Sequence, residues 1–288
     1  MKRSPRPAPW AAGLAATAAL LLLLPASASA SAPEAPPVAA SAGLDATDTT
    51  NTTDTYNAYG AYDTYYAPAE GKTGAALKSA LHGIIKNQSR ISYDQVWAAL
   101  KVTDEDPANR NNVILVYSGR SQSKSTNGGG VNDWNREHVW AKSHGDFGTA
   151  TGPGTDLHHL RPEDVTVNST RGNKDFDYGG SPVSEAPGSL TDADSFEPRN
   201  AVKGDVARML LYMAVRYEGG DGFANLEMND RVNNGSLPAQ GRISVLKQWH
   251  QQDPPDAFEQ RRNQVIYDTY QHNRNPFIDH PEWVNSIW

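Results

Sequence analysis

The sequence predicts an α+β fold, a mostly helical domain around a small strand–loop–strand–helix core. Three observations lead there. Apolar residues recur at helical spacing, as at Leu77, Leu81, Ile84 and Ile85 and again along Ala201 to Tyr217. Strand-like runs are short, Val113-Ile114-Leu115-Val116-Tyr117 being the clearest. From Asn135 to Asp177 the chain is instead crowded with polar and ionisable groups: His138, His144, His158 and His159, four of the eight histidines, with Glu137, Asp156, Arg161, Asn168 and Arg171 among them. A core segment would show more apolar periodicity and fewer such groups.

Taken in order, residues 1–30 read as a secretory signal peptide. Lys2, Arg3 and Arg6 form a positive region, Ala11 to Leu24 an apolar one, and Ala28-Ser29-Ala30 a small-residue cleavage site. The apolar run is short for a membrane span, and no later segment qualifies. Residues 31–71 read as a disordered acidic tail rich in Ala, Thr, Asp and Tyr, with few aliphatics to bury. The folded domain is expected over 72–288. It has no cysteine, which excludes disulfides and cysteine-type zinc sites and leaves stability to the core.

Within the domain, 73–87 is expected as an amphipathic helix. A second follows Ser92, a good N-cap, with Tyr93, Val96, Trp97 and Leu100 as its apolar positions. Val113 to Tyr117 should be a buried strand, and the polar, Gly-rich 120–133 a loop. Glu137 to Trp140 and Asp156 to Arg161 read as strands, the second halted by Pro162; Glu163 to Val167 reads as a turn. Asn168 or Thr166 is placed to cap a two-turn helix running to Asp175, weakened by Gly172. Residues 179–200 read as loop, Ala201 to Tyr217 as the strongest helix, and 241–251 and 255–271 as further helices. The segment Asn273 to Pro281, with two prolines, should pack back on the domain without regular helix.

The net charge of −7 argues against a protein that binds polyanions through bulk charge. Over 71–288 there are 23 basic and 27 acidic side chains, so a nucleic acid would have to be met at a local site. The histidine-rich stretch has the groups that phosphodiester hydrolysis needs. Histidine can take a proton from water at neutral pH, Glu and Asn oxygens suit a hard cation such as Mg²⁺, and arginine suits a phosphate. In an ideal strand Glu137 and His138 face opposite ways, so both reach one site only if the backbone bends or the site lies at the strand end. Asn168 and Arg171, three apart, share a helical face.

The motifs W-N-R-E-H-V-W, D-L-H-H-L-R-P and V-N-S-T-R-G-N, with S-Y-D-Q-V-W, N-N-V-I-L-V-Y-S-G-R, G-D-V-A-R-M and R-N-P-F-I-D-H-P-E, strongly resemble the endonuclease I family of secreted and periplasmic bacterial nucleases. The resemblance runs from about Leu77 to Trp288. It implies a ββα-metal (His-Me finger) core embedded in helices, and cleavage of DNA and often RNA without marked sequence preference. By motif, His138 matches the general base, and Glu137 and Asn168 the protein ligands of one Mg²⁺, for which Mn²⁺ or Ca²⁺ could substitute. The implied products carry 5′-phosphates. Two departures stand out. Ala141 replaces a proline common in the family, and the insertion that carries a phosphate-holding arginine in other members is short here. Arg161 and Arg171 are the substitutes expected in that role.

The implied protein is a secreted monomer acting on the DNA or RNA backbone. A non-catalytic nucleic-acid-binding protein with a structural metal site, a wall-binding module, and a phosphatase acting on small substrates are the competing readings. His158 is expected to be structural, His159 is open, and His144 is expected in a loop. Arg274 and His280 either touch substrate or hold a buried turn. Trp97, Trp134 and Trp140 are expected in the core.

Overall fold

The structure, a computed structural model, describes residues 64–288. The signal peptide and most of the acidic tail lie outside the described residues. The domain begins ahead of the expected start at Lys72, with Tyr65 and Tyr66 packed in place. Tyr66 is buried and its hydroxyl donates to Asp279 Oδ2 at 2.7 Å, while the Tyr65 hydroxyl accepts from Arg274 N. The chain before Lys72 is thus stapled to the Asn273–Pro281 segment, and the last residues assigned to the tail belong to the fold.

Helix α1 (Gly74–Ile85) buries Leu77, Leu81 and Ile85 on one face, as its period requires. Helix α2 (Tyr93–Thr103) starts at a reciprocal cap: Ser92 accepts from Gln95 N, and the Gln95 side chain from Ser92 N. Strands β1 (Glu105–Asp106), β2 (Asn109–Ile114) and β3 (Ser121–Ser123) form a small antiparallel sheet. The expected strand at Val113–Tyr117 begins earlier and stops at Ile114. Leu115, Val116 and Tyr117 remain buried, because their backbone turns to other partners: Val116 N donates to Pro162 O, and Tyr117 N to the Glu163 carboxylate.

Strand β4 (Trp134–His138) pairs antiparallel with β5 (Leu160–Asp164), setting Glu137 opposite Arg161 and His138 opposite Leu160. Both strands are shifted from their expected ranges, overlapping them at Glu137-His138 and at Leu160-Arg161. Pro162 does not halt β5. Its carbonyl accepts from Val116, so its nitrogen lies on the edge away from β4, where a missing N–H costs no ladder bond. Helix α3 (Val165–Arg171) follows at once. Its cap is Asp164, which accepts from Thr166 N and Val167 N, in place of the expected Asn168 or Thr166. It ends at Gly172, whose φ of +61° suits glycine. Asn168 therefore stands inside the helix, facing back toward β4 through a bond to Asn135.

The expected loop at 179–200 holds short strands. Strands β6 (Asp175–Phe176), β7 (Ser181–Pro182), β8 (Leu190–Thr191) and β9 (Ser195–Glu197) form a sheet of order β6-β9-β8-β7. Helix α4 (Lys203–Arg216) is the centre of the domain, and all 14 of its residues are buried. Its charged residues are tolerated because each finds a partner, as in Arg208 with Glu259 and Arg216 with Asp221. Gly204 lets the Asp253 carbonyl approach the helix; a Cβ there would lie 1.8 Å from that oxygen. After a two-stranded parallel pair, β10 (Glu227–Met228) and β11 (Ala239–Gln240), come α5 (Ile243–Gln252), α6 (Ala257–Val265), α7 (Pro276–Asp279) and α8 (Trp283–Ile287). α7 is a single helical turn capped by Asn275 within the segment expected to lack helix; proline at its first position needs no N–H partner. The larger core surrounds α4. A smaller one, built from Val96, Leu100, Val113, Trp134, Leu157, Leu160 and Ile266, backs the β4–β5 pair.

Candidate active site

The end of β4 opens into a cleft of about 440 Å³, lined among others by Tyr93, Asn135, Arg136, Glu137, His138, Lys142 and Asn168. Alternation along the strand would separate Glu137 from His138. They meet at one cleft because the strand ends at His138, so the site lies at its tip.

Glu137 is held from behind. Its Oε1 accepts from the Tyr117 hydroxyl at 2.6 Å and from Arg171 Nη1 at 3.0 Å. Oε2 takes no side-chain hydrogen bond among the described residues, and the His138 backbone N–H also acts on the carboxyl. Burial pushes the carboxyl above its usual range, against the opposing pull of Arg171 and Tyr117. Asn168 donates Nδ2 to Asn135 Oδ1 at 2.6 Å, leaving its own Oδ1 without a hydrogen bond among the described residues. Two oxygens with no side-chain partner thus belong to residues lining one cleft. That set fits a hard divalent cation, which takes few protein ligands and keeps most of its waters. Among the described residues no group of three or more His, Asp or Glu is placed to enclose a metal.

His138 is nearly buried, at 6% exposure, and its Nε2 lies 3.1 Å from Gly154 O. A carbonyl only accepts, so Nε2 carries the hydrogen and Nδ1 keeps its lone pair. Nδ1 takes no partner among the described residues. Burial, and next the neighbouring His159, holds the imidazole well below its ordinary pKa, so it is neutral at pH 7. Tyr93 stacks beside it, 5.9 Å between ring centres.

The other candidates are settled by their partners. Both nitrogens of His159 are used: Nε2 donates to Pro153 O at 2.7 Å and Nδ1 accepts from Trp140 N at 3.3 Å. His158 Nε2 faces Asn273 at 3.2 Å, the structural role expected for it. Burial depresses both histidines to about 4. His144 lies in a turn after β4, yet is buried with Nδ1 at 2.9 Å from Ala239 O. Arg274 pairs with Asp279 at 2.7 Å, so it holds the buried turn. His280 stacks on Trp283.

The two arginines expected to bind phosphate do not line the cleft. Arg161 is buried on the other side of the β4–β5 pair, with Nε 2.5 Å from Asp104 Oδ1 and Nη1 3.3 Å from Asp205 Oδ2. Arg171 is fully buried behind β4, donating to Glu137, His138 O and Val139 O. Both guanidiniums are already engaged, Arg161 by two carboxylates and Arg171 by one carboxylate and two carbonyls, with Arg171 Nε buried and without a hydrogen-bond partner. Sequence reasoning missed the cleft's own cations, Arg136 and Lys142, although they flank Glu137-His138 within one motif. Trp97, expected in the core with Trp134 and Trp140, is only half-buried and lines the cleft; the other two are fully buried.

The family profile described as Endonuclease I matches residues 73–282. An extracellular ribonuclease of Bacillus amyloliquefaciens is 68% identical over 225 residues, covering 78% of each chain. An extracellular ribonuclease of Bacillus subtilis is 66% identical over 225 residues, again 78% of each chain. An extracellular deoxyribonuclease of Aeromonas hydrophila is 31% identical over 129 residues, 43% of this chain and 49% of that protein. No helix among the described residues is long and apolar enough to cross a membrane. The profile match spans well over half of the sequence, and the chain belongs to the endonuclease I family of nucleases.

Proposed function

We propose that this protein is an extracellular, Mg²⁺-dependent endonuclease that hydrolyses phosphodiester bonds of RNA and of DNA with little sequence preference, leaving 5′-phosphate ends. The observation that carries it is the pairing of a neutral His138, with Nδ1 unengaged, and a Glu137 carboxylate with Oε2 free of side-chain hydrogen bonds, at the tip of one strand. The two-stranded pair followed directly by α3 supports assignment of a ββα-metal core. The extracellular ribonucleases among the relatives favour RNA as a substrate, and the deoxyribonuclease keeps DNA beside it.

In this reading Glu137 and Asn168 would hold the cation, which would supply charge neutralisation at the scissile phosphate and the departing oxygen. His138 Nδ1 takes a proton from the attacking water. The Gly154 carbonyl fixes the ring's tautomer and orientation, and steadies the imidazolium once formed. Arg171 and Tyr117 fix the Glu137 carboxyl and oppose the effect of its burial. Incubation of the purified protein with supercoiled plasmid and with single-stranded RNA, with Mg²⁺ or with EDTA, tests the proposal. Both substrates should be cut with Mg²⁺ and neither with EDTA, while the far-UV circular dichroism stays unchanged. Failure to cut either substrate, or full activity in metal-free protein, overturns it.

A further inference from the structure

With Arg161 and Arg171 buried elsewhere, the cleft needs another holder for the substrate's phosphates. We propose that Arg136 and Lys142 grip neighbouring phosphates of the bound strand, with Arg136 clamped for the purpose between Tyr93 and Trp97. This rests on the nuclease reading above.

Four observations carry it. Both residues line the cleft beside Glu137 and His138, and Lys142 is exposed. Among the described residues, no carboxylate lies within ion-pair distance of either, whereas Arg120, Arg161 and Arg171 around the same β4–β5 pair all have one. Arg136 is also rigid. Its guanidinium carbon stands 3.5 Å from the centre of the Tyr93 ring and 4.0 Å from that of Trp97, and Nη1 donates to Tyr93 O at 2.6 Å. Stacking uses the faces of a guanidinium and leaves its edge for an anion. Finally, Arg136 and His138 are two apart on β4 and share a face, so a phosphate on Arg136 lies alongside the base. A half-buried cation whose neighbouring acid, Asp94, acts on it only from beyond ion-pair distance is costly to desolvate, and a polyanion supplies a closer counterion. In a domain with no excess of basic residues, such local cations are how a nucleic-acid strand is attracted.

The test measures binding of a fluorescent single-stranded RNA oligonucleotide across a salt titration. The parent is the full chain carrying His138→Ala, so that the RNA survives. Adding Arg136→Met or Lys142→Met should weaken binding roughly tenfold, the loss of one charge-assisted contact. Each should also reduce the slope of log affinity against log salt by about 0.7. Arg136→Lys should restore the slope, since it keeps the charge, while recovering only part of the affinity. Lys86→Met, at an exposed cation outside the cleft, should change neither quantity. Among the described residues the Lys142 side chain makes no hydrogen bond or ion pair that its replacement would break, and circular dichroism checks the fold of Arg136→Met. An unchanged slope in both Met variants of a folded parent overturns the proposal, as does a parent that binds no RNA. RNA cleavage by the unmutated chain is scored separately: its absence counts against the nuclease reading, and an unchanged slope in a chain that cleaves counts against Arg136 and Lys142 alone.

Discussion

Arg171 and Glu137 form an ion pair at 3.0 Å in which both side chains are almost wholly buried, joining α3 to the tip of β4. The same guanidinium donates to the carbonyls of His138 and Val139, so one residue ties the helix to the backbone on which the base sits. Removing one partner of a buried pair leaves an uncompensated charge, a loss of about 3–5 kcal/mol. Arg171→Met should therefore lower the melting temperature markedly. The folded fraction should need more Mg²⁺ for half-maximal rate, since Glu137 loses the guanidinium that orients its carboxyl and opposes the effect of burial. Unchanged stability with weakened nucleic-acid binding would instead return Arg171 to a phosphate-binding role.

Stability should depend on pH through His158 and His159. Each is buried neutral, with a folded-state pKa of about 4 against an unfolded value near 6.5. Between these values the unfolded chain binds more protons, so stability rises with pH there. The contribution is fully present above about pH 6.5 and lost progressively as pH falls toward 4. Chemical denaturation at pH 7.5, 6 and 5, with His158→Gln as comparison, measures this. A midpoint independent of pH across that range would contradict it.

Tyr66 places a boundary. Deleting residues up to 63 should leave the melting temperature nearly unchanged. Deleting through 71 should lower it, because Tyr66 and its bond to Asp279 are lost. Tyr66→Ala alone should cost roughly 3 kcal/mol, typical of truncating a buried aromatic. Equal stability of the two truncations would return 64–71 to the tail.

Substrate reading should be by backbone. The cleft offers two cations, Arg136 and Lys142, rather than a helix bearing a row of base-reading side chains. Sequencing the cut ends of random-sequence RNA and duplex DNA should show weak preferences only. A strict motif of several bases would contradict this.

Much of this was legible in the sequence, for identifiable reasons. The helical periods at 74–85 and 203–216 survive because one face or all faces are buried, so propensity and packing agree. Glu137, His138 and Asn168 were found together because their types and motif spacing are chemical. Strand ends were less legible. The limits of β4 and β5 depend on pairing between residues far apart in sequence, as Glu137 with Arg161, and on which edge of β5 Pro162 occupies. The arginines were misjudged for a related reason. Arg161, Arg171 and Arg136 look alike in sequence, and only the fold shows that Asp104, Asp205 and Glu137 already pair with the first two. Tyr66 was hidden by the composition of its neighbours, since its partner Asp279 lies at the far end of the chain.

The account turns on His138 being the base and Glu137 a metal ligand. The most direct measurement is the rate of RNA and supercoiled-plasmid cleavage by His138→Ala and Glu137→Ala across a Mg²⁺ titration. His138→Ala should lose at least about 10²–10⁴-fold in turnover at every Mg²⁺ concentration while still binding RNA, because the proton acceptor is gone and the ligand oxygens remain. Glu137→Ala should shift the half-saturating Mg²⁺ upward. Near wild-type turnover by His138→Ala, or its full recovery in excess Mg²⁺, would contradict the account.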